Sequence, residues 1–121
     1  LYVTNKSRAE QCLRASAKRY TFVGHTHFPA VFNATPQSPP SHHVPTPGRP
    51  IPLQPHRRWL AVLGAVGQPR DQNPDACYGI LDTDRQTLTY VRVPYDVDIA
   101  AAKIRAAGLP PFLADRLSIG M

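Results

Sequence analysis

The chain has 121 residues, 42% of them apolar and 18% charged, which is one domain's worth or less and enough apolar content to exclude a wholly disordered chain. Lys and Arg number 14 against 8 Asp and Glu, a formal charge of +6, and no apolar run approaches the ~20 residues of a membrane span. The basic excess admits nucleic acid, a membrane surface or small anions as partners, but the charges are scattered, with no run of four and no aromatic–basic repeat, so neither nucleic acid nor membrane is the expected partner.

No charged-then-apolar leader opens the chain, so no secretory signal is read in it and a cytoplasmic location is expected. The first residue is Leu1, and the chain is expected to be part of a longer gene product. Cys12 and Cys77 share no CxxC spacing. Two cysteines build no disulfide framework, and both are expected as buried small apolar residues.

In chain order, residues 1–4 read as the end of an extended segment. Ser7 and Glu10 form a capping box ahead of Ala9, Cys12, Leu13 and Ala17 at helical spacing, which predicts a helix over 7–18. Tyr20-Thr21-Phe22-Val23 is β-branched and aromatic and stops at Gly24, a short strand. Ala30-Val31-Phe32 is a second. Residues 34–56 hold eight prolines, which remove backbone donors and predict an exposed, helix-free loop inserted in the domain. Trp59 to Leu63 is a continuous apolar run, expected as a strand buried on both faces. Cys77 to Leu81 and Thr87 to Val93 form a hairpin across residues 82–86. Asp96 caps a helix carrying Val97, Ala101 and Ile104, Gly108 ends it, and Pro110-Pro111 opens a last short helix. The order predicts an α+β layered half-domain with mixed or antiparallel strands.

The sharpest local feature is Gly24-His25-Thr26-His27 directly after a strand. Imidazole is a common ligand for zinc, iron, manganese and nickel, and Gly24 permits a tight turn. The competing reading is a histidine that caps the strand's backbone. Arg70 is suited to clamp a phosphate with its guanidinium fork. It is equally suited to pair with Asp71 or Asp75 and shape the loop. His42, His43 and His56 lie in or beside the proline-rich segment and read as solvated. Tyr20, Phe22, Trp59, Tyr78 and Tyr90 read as packing residues.

Val23-Gly24-His25-Thr26-His27-Phe28-Pro29 resembles the Gly-His-x-His segment of the calcineurin-like metallophosphoesterases. Three further stretches resemble one bacterial and archaeal phosphodiesterase branch of that family. They are Val66 to Asp71 with Asp75 to Asp82, then Arg92-Val93-Pro94-Tyr95-Asp96, and finally Ala107 to Pro110 with Leu113 to Leu117. Together they cover about residues 20–33 and 57–120. The resemblance implies the C-terminal part of a two-sheet sandwich in α/β/β/α layers, spanning residues 1–121 as a portion of one domain. It implies that His25 and His27 each ligate one of two divalent metal ions (Mn, Fe, Zn or Ni), and that Gln68 and Arg70 lie toward a phosphate-ester substrate. The chemistry implied is hydrolysis of a phosphodiester or phosphomonoester at a binuclear centre.

Two departures bear on that reading. The family's Asp-x-His, Gly-Asp and Gly-Asn-His motifs lie N-terminal to Gly-His-x-His, and none occurs in residues 1–24. Leu63-Gly64-Ala65 stands where relatives usually carry Pro-Gly-Ser. The chain by itself is therefore expected to be catalytically incompetent. A missing N-terminal half or a second copy is expected to cover apolar surface at Val62 and Leu63. The alternative is a non-catalytic remnant or binding module that retains the half-fold.

Overall fold

The structure, a computed structural model, describes residues 2–121. Leu1 lies outside the described residues, and 2–4 belong to no strand. The first helix, α1, runs Lys6–Ala15. Its cap is Asn5, whose Oδ1 accepts the Arg8 N–H at 2.9 Å. The Ser7–Glu10 box is thus not used, because Asn5 stands earlier and Asn is as strong an N-cap as Ser. The helix ends at Ala15 rather than 18, where the Ser16 hydroxyl takes the Lys18 N–H at 3.2 Å and bonds Thr21 Oγ1 at 2.9 Å.

Seven strands follow: β1 (Tyr20–Val23), β2 (Ala30–Thr35), β3 (Ser38–His43), β4 (Ile51–Pro52), β5 (Arg58–Val62), β6 (Ala76–Asp82) and β7 (Thr87–Val93). They form a four-stranded sheet in the order β1-β5-β2-β3 and a three-stranded sheet in the order β4-β7-β6. Only β1 and β5 pair parallel, with Val23 opposite Val62, and every other pair is antiparallel. The expected α+β class with mixed strands is what the chain adopts.

Residues 34–56 are not the loop that their prolines predict. The chain turns at Pro36-Gln37 and runs back as β3, and Ile51–Pro52 pairs with β7. Two physical reasons resolve the conflict. β3 is an edge strand, where a missing N–H faces away from the ladder, and its register with β2 slips between Asn33 and Thr35 where Pro39 and Pro40 sit. The segment contains no helix.

β2 and β5 alternate strictly. Ala30, Phe32, Leu60 and Val62 pack beneath α1 with Ala9 and Leu13. Val31, Trp59 and Ala61 face the second sheet and meet Leu53, Cys77, Leu88 and Tyr90. Both faces of β5 are therefore covered within the chain itself, and Val62 is only 1% exposed. The expectation that half a sandwich leaves Val62 bare is corrected, since α1 supplies one cover and the second sheet the other, while Leu63, just beyond the strand, is half-buried against the second cluster.

Tyr90 joins the layers. Its ring is buried between the sheets, and its hydroxyl lies 2.8 Å from the Val62 carbonyl and 3.2 Å from that of Ala30. Those residues are partners across the β2–β5 ladder. The β6–β7 turn is held by Asp82, whose Oδ1 accepts the N–H groups of Asp84 and Arg85. The last elements are α2 (Val97–Ala106), capped by Asp96 on the Ile99 N–H, and α3 (Pro111–Ile119). They pack against each other, burying Ala101, Ala114 and Leu117. The end of α3 presses on the loop after β5: Gly120, at φ +67°, comes so close that a Cβ there would meet the Asn73 nitrogen at 2.5 Å. Among the described residues no helix is long and apolar enough to cross a membrane.

Tyr90→Phe should cost about 1–2 kcal/mol, because it leaves two buried carbonyls without their donor. Burial also holds the phenol's pKa well above its ordinary value of 10.0. The unfolded chain therefore loses this proton first as pH rises, and stability falls above pH 10. Urea midpoints measured from pH 7 to 11 should show a steeper alkaline decline in the wild type than in the phenylalanine variant.

Candidate metal and phosphate site

β1 ends at Val23, and the next residues fold into a turn closed by the Thr26 N–H on the Gly24 carbonyl at 3.0 Å. His25 and His27 both take left-handed backbone, at φ 77° and 65°. For residues with a Cβ that conformation costs of order 1 kcal/mol each and persists only where surroundings enforce it. Pro29 is buried, and Ala30 enters β2 at once. The turn is therefore clamped between two strands of one sheet.

The second side of the site comes from the loop after β5. Leu63 N–H donates to the Val23 carbonyl at 3.0 Å, and Cys77 N–H to that of Ala65 at 2.8 Å. Gly64, at φ +78°, passes so close to Cys77 that an added Cβ would sit 3.1 Å from its sulfur. This approach permits the loop to fold back, and the Arg70 N–H then reaches the His27 carbonyl at 3.3 Å.

Arg70 pairs with neither Asp71 nor Asp75. Its Nη2 donates to Gln68 Oε1 at 3.1 Å, and its Nε is buried without a partner. Asp71 instead forms an ion pair with Arg92, which also donates from Nη1 to the Asp75 carbonyl at 3.0 Å. Gln68, expected at the substrate, has both ends of its amide engaged, the second on the Met121 carbonyl at 3.4 Å. Burial pushes the Cys77 thiol's pKa up, Arg92 pulls it down, and Asp71 raises it further.

A groove of about 360 Å³ opens beside the turn, lined by Tyr2, Thr4, His25, Thr26, Phe28 and Arg70. The His25 ring stacks on Tyr2 at 4.7 Å. His27 does not line this groove, and its Nδ1 is buried without a partner. Thr26 Oγ1, Arg70 Nε and Asp71 Oδ1 are unpartnered as well. Four buried polar atoms without partners thus gather in the turn and the adjoining loop. Two imidazoles on one turn have the donor chemistry of transition-metal ligands, and an unpaired buried ring nitrogen fits that use. Yet no group of three or more His, Cys, Asp or Glu able to hold a metal ion exists among the described residues. The residues present fit a share of a metal site, not the whole of one.

The other histidines fall elsewhere. His42 stacks on Phe32 at 4.6 Å and His43 pairs opposite Val31, both exposed on β3. Sequence reasoning missed Tyr2, Thr4 and Phe28 as groove walls, since nothing in their spacing marks them. It also missed Arg92 as the anchor of Asp71. The strand alternation of β7 carried that signal: Arg92 is opposite Cys77, on the inward side.

No family model matches the chain. The chain is 37% identical over 99 residues to the uncharacterized protein MJ0912 of Methanocaldococcus jannaschii, covering 82% of this chain and 38% of that protein. In fold it is similar to a metallophosphoesterase of Sphaerobacter thermophilus, with a TM-score of 0.87 and 35% identity, over 99% of this chain and 49% of that one. The chain has the fold of about half of that metallophosphoesterase. It spans half or less of the length of both relatives.

Asp71→Leu should destabilise the protein by about 3 kcal/mol, because it strands the Arg92 guanidinium, whose side chain is only 9% exposed. The double variant Asp71→Leu/Arg92→Leu should recover much of that loss, since two apolar groups replace a buried ion pair at little cost. A double-mutant cycle on denaturant midpoints checks this.

Proposed function

We propose that the chain supplies the histidine-bearing half of a metal-dependent phosphoesterase centre. The observation that carries the reading is the hydrogen bond from Arg70 N to His27 O, which ties the backbone of a residue whose guanidinium has no acidic partner to the paired-histidine turn. In this reading His25 and His27 each hold one of two divalent ions, and Arg70 grips the phosphate ester. When bound, such ions supply Lewis-acid polarisation and neutralise developing charge. The protein's own groups do the rest. Gln68 fixes the Arg70 fork, the Arg92–Asp71 pair holds the loop that carries it, and the strained turn presents the imidazoles without reorganisation.

The remaining ligands, carboxylates among them, would come from the part of the relatives' length that this chain does not span, or from a second copy. β1 is the place for it. It is the edge of its sheet on the side away from β5, and Phe22 on it is 42% exposed.

The 121-residue chain with Mn²⁺ should not hydrolyse bis(p-nitrophenyl) phosphate above background, whereas the protein joined to a complementary half should. In the joined protein His27→Ala should lower turnover by about a hundredfold or more, and Arg70→Ala should raise KM more than it lowers kcat. Turnover by the chain alone that survives His25→Ala would overturn the reading. Inactivity of the joined protein would favour the alternative of a non-catalytic module that retains the half-fold.

A further inference from the structure

The two histidines of the turn are held by different means. His27 is half-buried, its Nδ1 is sealed from water, and its carbonyl accepts the Arg70 N–H. Close packing leaves such a ring little choice of rotamer. His25 is exposed and lines the groove. An exposed imidazole hops among several staggered positions, so His25 needs a restraint of its own to present its ring in one orientation.

That restraint comes from the segment ahead of α1. Val3 is buried and packs in the core with Phe32 and Leu60. Successive side chains of an extended chain point opposite ways, and Tyr2 and Thr4, on either side of Val3, both line the groove. Asn5 then fixes the backbone as the cap of α1. With Val3 and Asn5 anchored, Tyr2 is laid over the histidine turn. Its ring and that of His25 have centroids 4.7 Å apart and planes 19° from parallel, within the range at which aromatic rings attract. Tyr2 is still 62% exposed, so its contact with His25 is not a by-product of burial in the core.

We infer that Tyr2 is a positioning residue for His25, holding the imidazole plane by its stack so that the ring meets a metal ion already oriented. The role rests on the proposed metal centre, since only there does a fixed His25 ring have a use. Imidazole ligands are ordinarily oriented by a hydrogen bond to the nitrogen that does not touch the metal, and that bond commits the tautomer. A stack fixes the plane and engages neither nitrogen. The face of the Tyr2 ring does this and its hydroxyl does not, so phenylalanine should serve in its place and leucine should not.

The test is NMR of the His25 and His27 rings in the 121-residue chain and its Tyr2→Leu and Tyr2→Phe variants, first without metal and then titrated with excess Zn²⁺. Without metal, the His25 ring protons should lie upfield of those of the solvated His56, and the χ1 couplings should report a single rotamer. Tyr2→Leu should abolish the displacement and average the couplings, and Tyr2→Phe should keep both. Zn²⁺ should shift both histidines of the turn. Tyr2→Leu should weaken that binding about fivefold, the worth of one aromatic pair, with the urea midpoint unchanged, and Tyr2→Phe should bind as the wild type does. Zinc bound equally by Tyr2→Leu, or a His25 ring already averaged in the wild type, would overturn the inference and leave the metal centre standing. A Tyr2→Leu midpoint that falls along with the affinity would make Tyr2 a structural residue and overturn it as well. No response of either histidine to Zn²⁺ in the wild type would remove the metal centre, and the positioning role with it.

Discussion

The hydroxyl of Tyr90 reaches from one sheet into the other and lies against both carbonyls of a single rung, Ala30 and Val62. Backbone carbonyls at the end of a ladder are where strands fray, and here that end is held by a buried phenol. The candidate site is built on this rung. Val62 leads through Leu63, bonded to Val23, into the Gly64 fold-back, and Ala30 closes the turn that carries both histidines. A shift of the sheets against one another would therefore move the histidine turn and the Arg70 loop apart. The strain in the turn is sustained because both of its flanking strands are fixed at this point.

The second constraint is the Arg92–Asp71 pair. It lies nearly out of water, where an ion pair adds little net stability but costs much when one partner is lost. Its effect is to assign Asp71 to the second sheet and so deny it to Arg70. The guanidinium of Arg70 is left with one neutral partner, Gln68, and an unpartnered Nε. A charged group beside a groove, held but not neutralised, is what recognition of an anion requires.

Much of this was legible in the amino-acid order. Thr87–Val93 alternates, Asp96 caps, Gly108 stops, and the apolar run from Trp59 needs cover on both faces; each leads directly to an element or layer that the structure contains. The proline-rich segment was misread because proline's lost donor was weighed without position, and at an edge strand half the donors face no partner. The cap of α1 was misread because two valid caps lie two residues apart, and only packing of Ala9 and Leu13 decides between them. Of the site, the histidine turn is local and so visible in sequence. The partner of Asp71 is 21 residues away, and no spacing rule reports a choice between Arg70 and Arg92 that is settled by which faces inward.

Proline at β3 also makes the two margins of the four-stranded sheet unequal. Pro39 and Pro40 offer no N–H, so β3 presents a blunted rim that a further strand cannot follow along its length. β1, at the other rim, has no proline and keeps its donors and acceptors. Growth of this sheet is consequently one-sided. A strand arriving from elsewhere is steered to the margin that runs into Gly24 and His25, and the far side is guarded against the open-ended stacking by which half-domains precipitate.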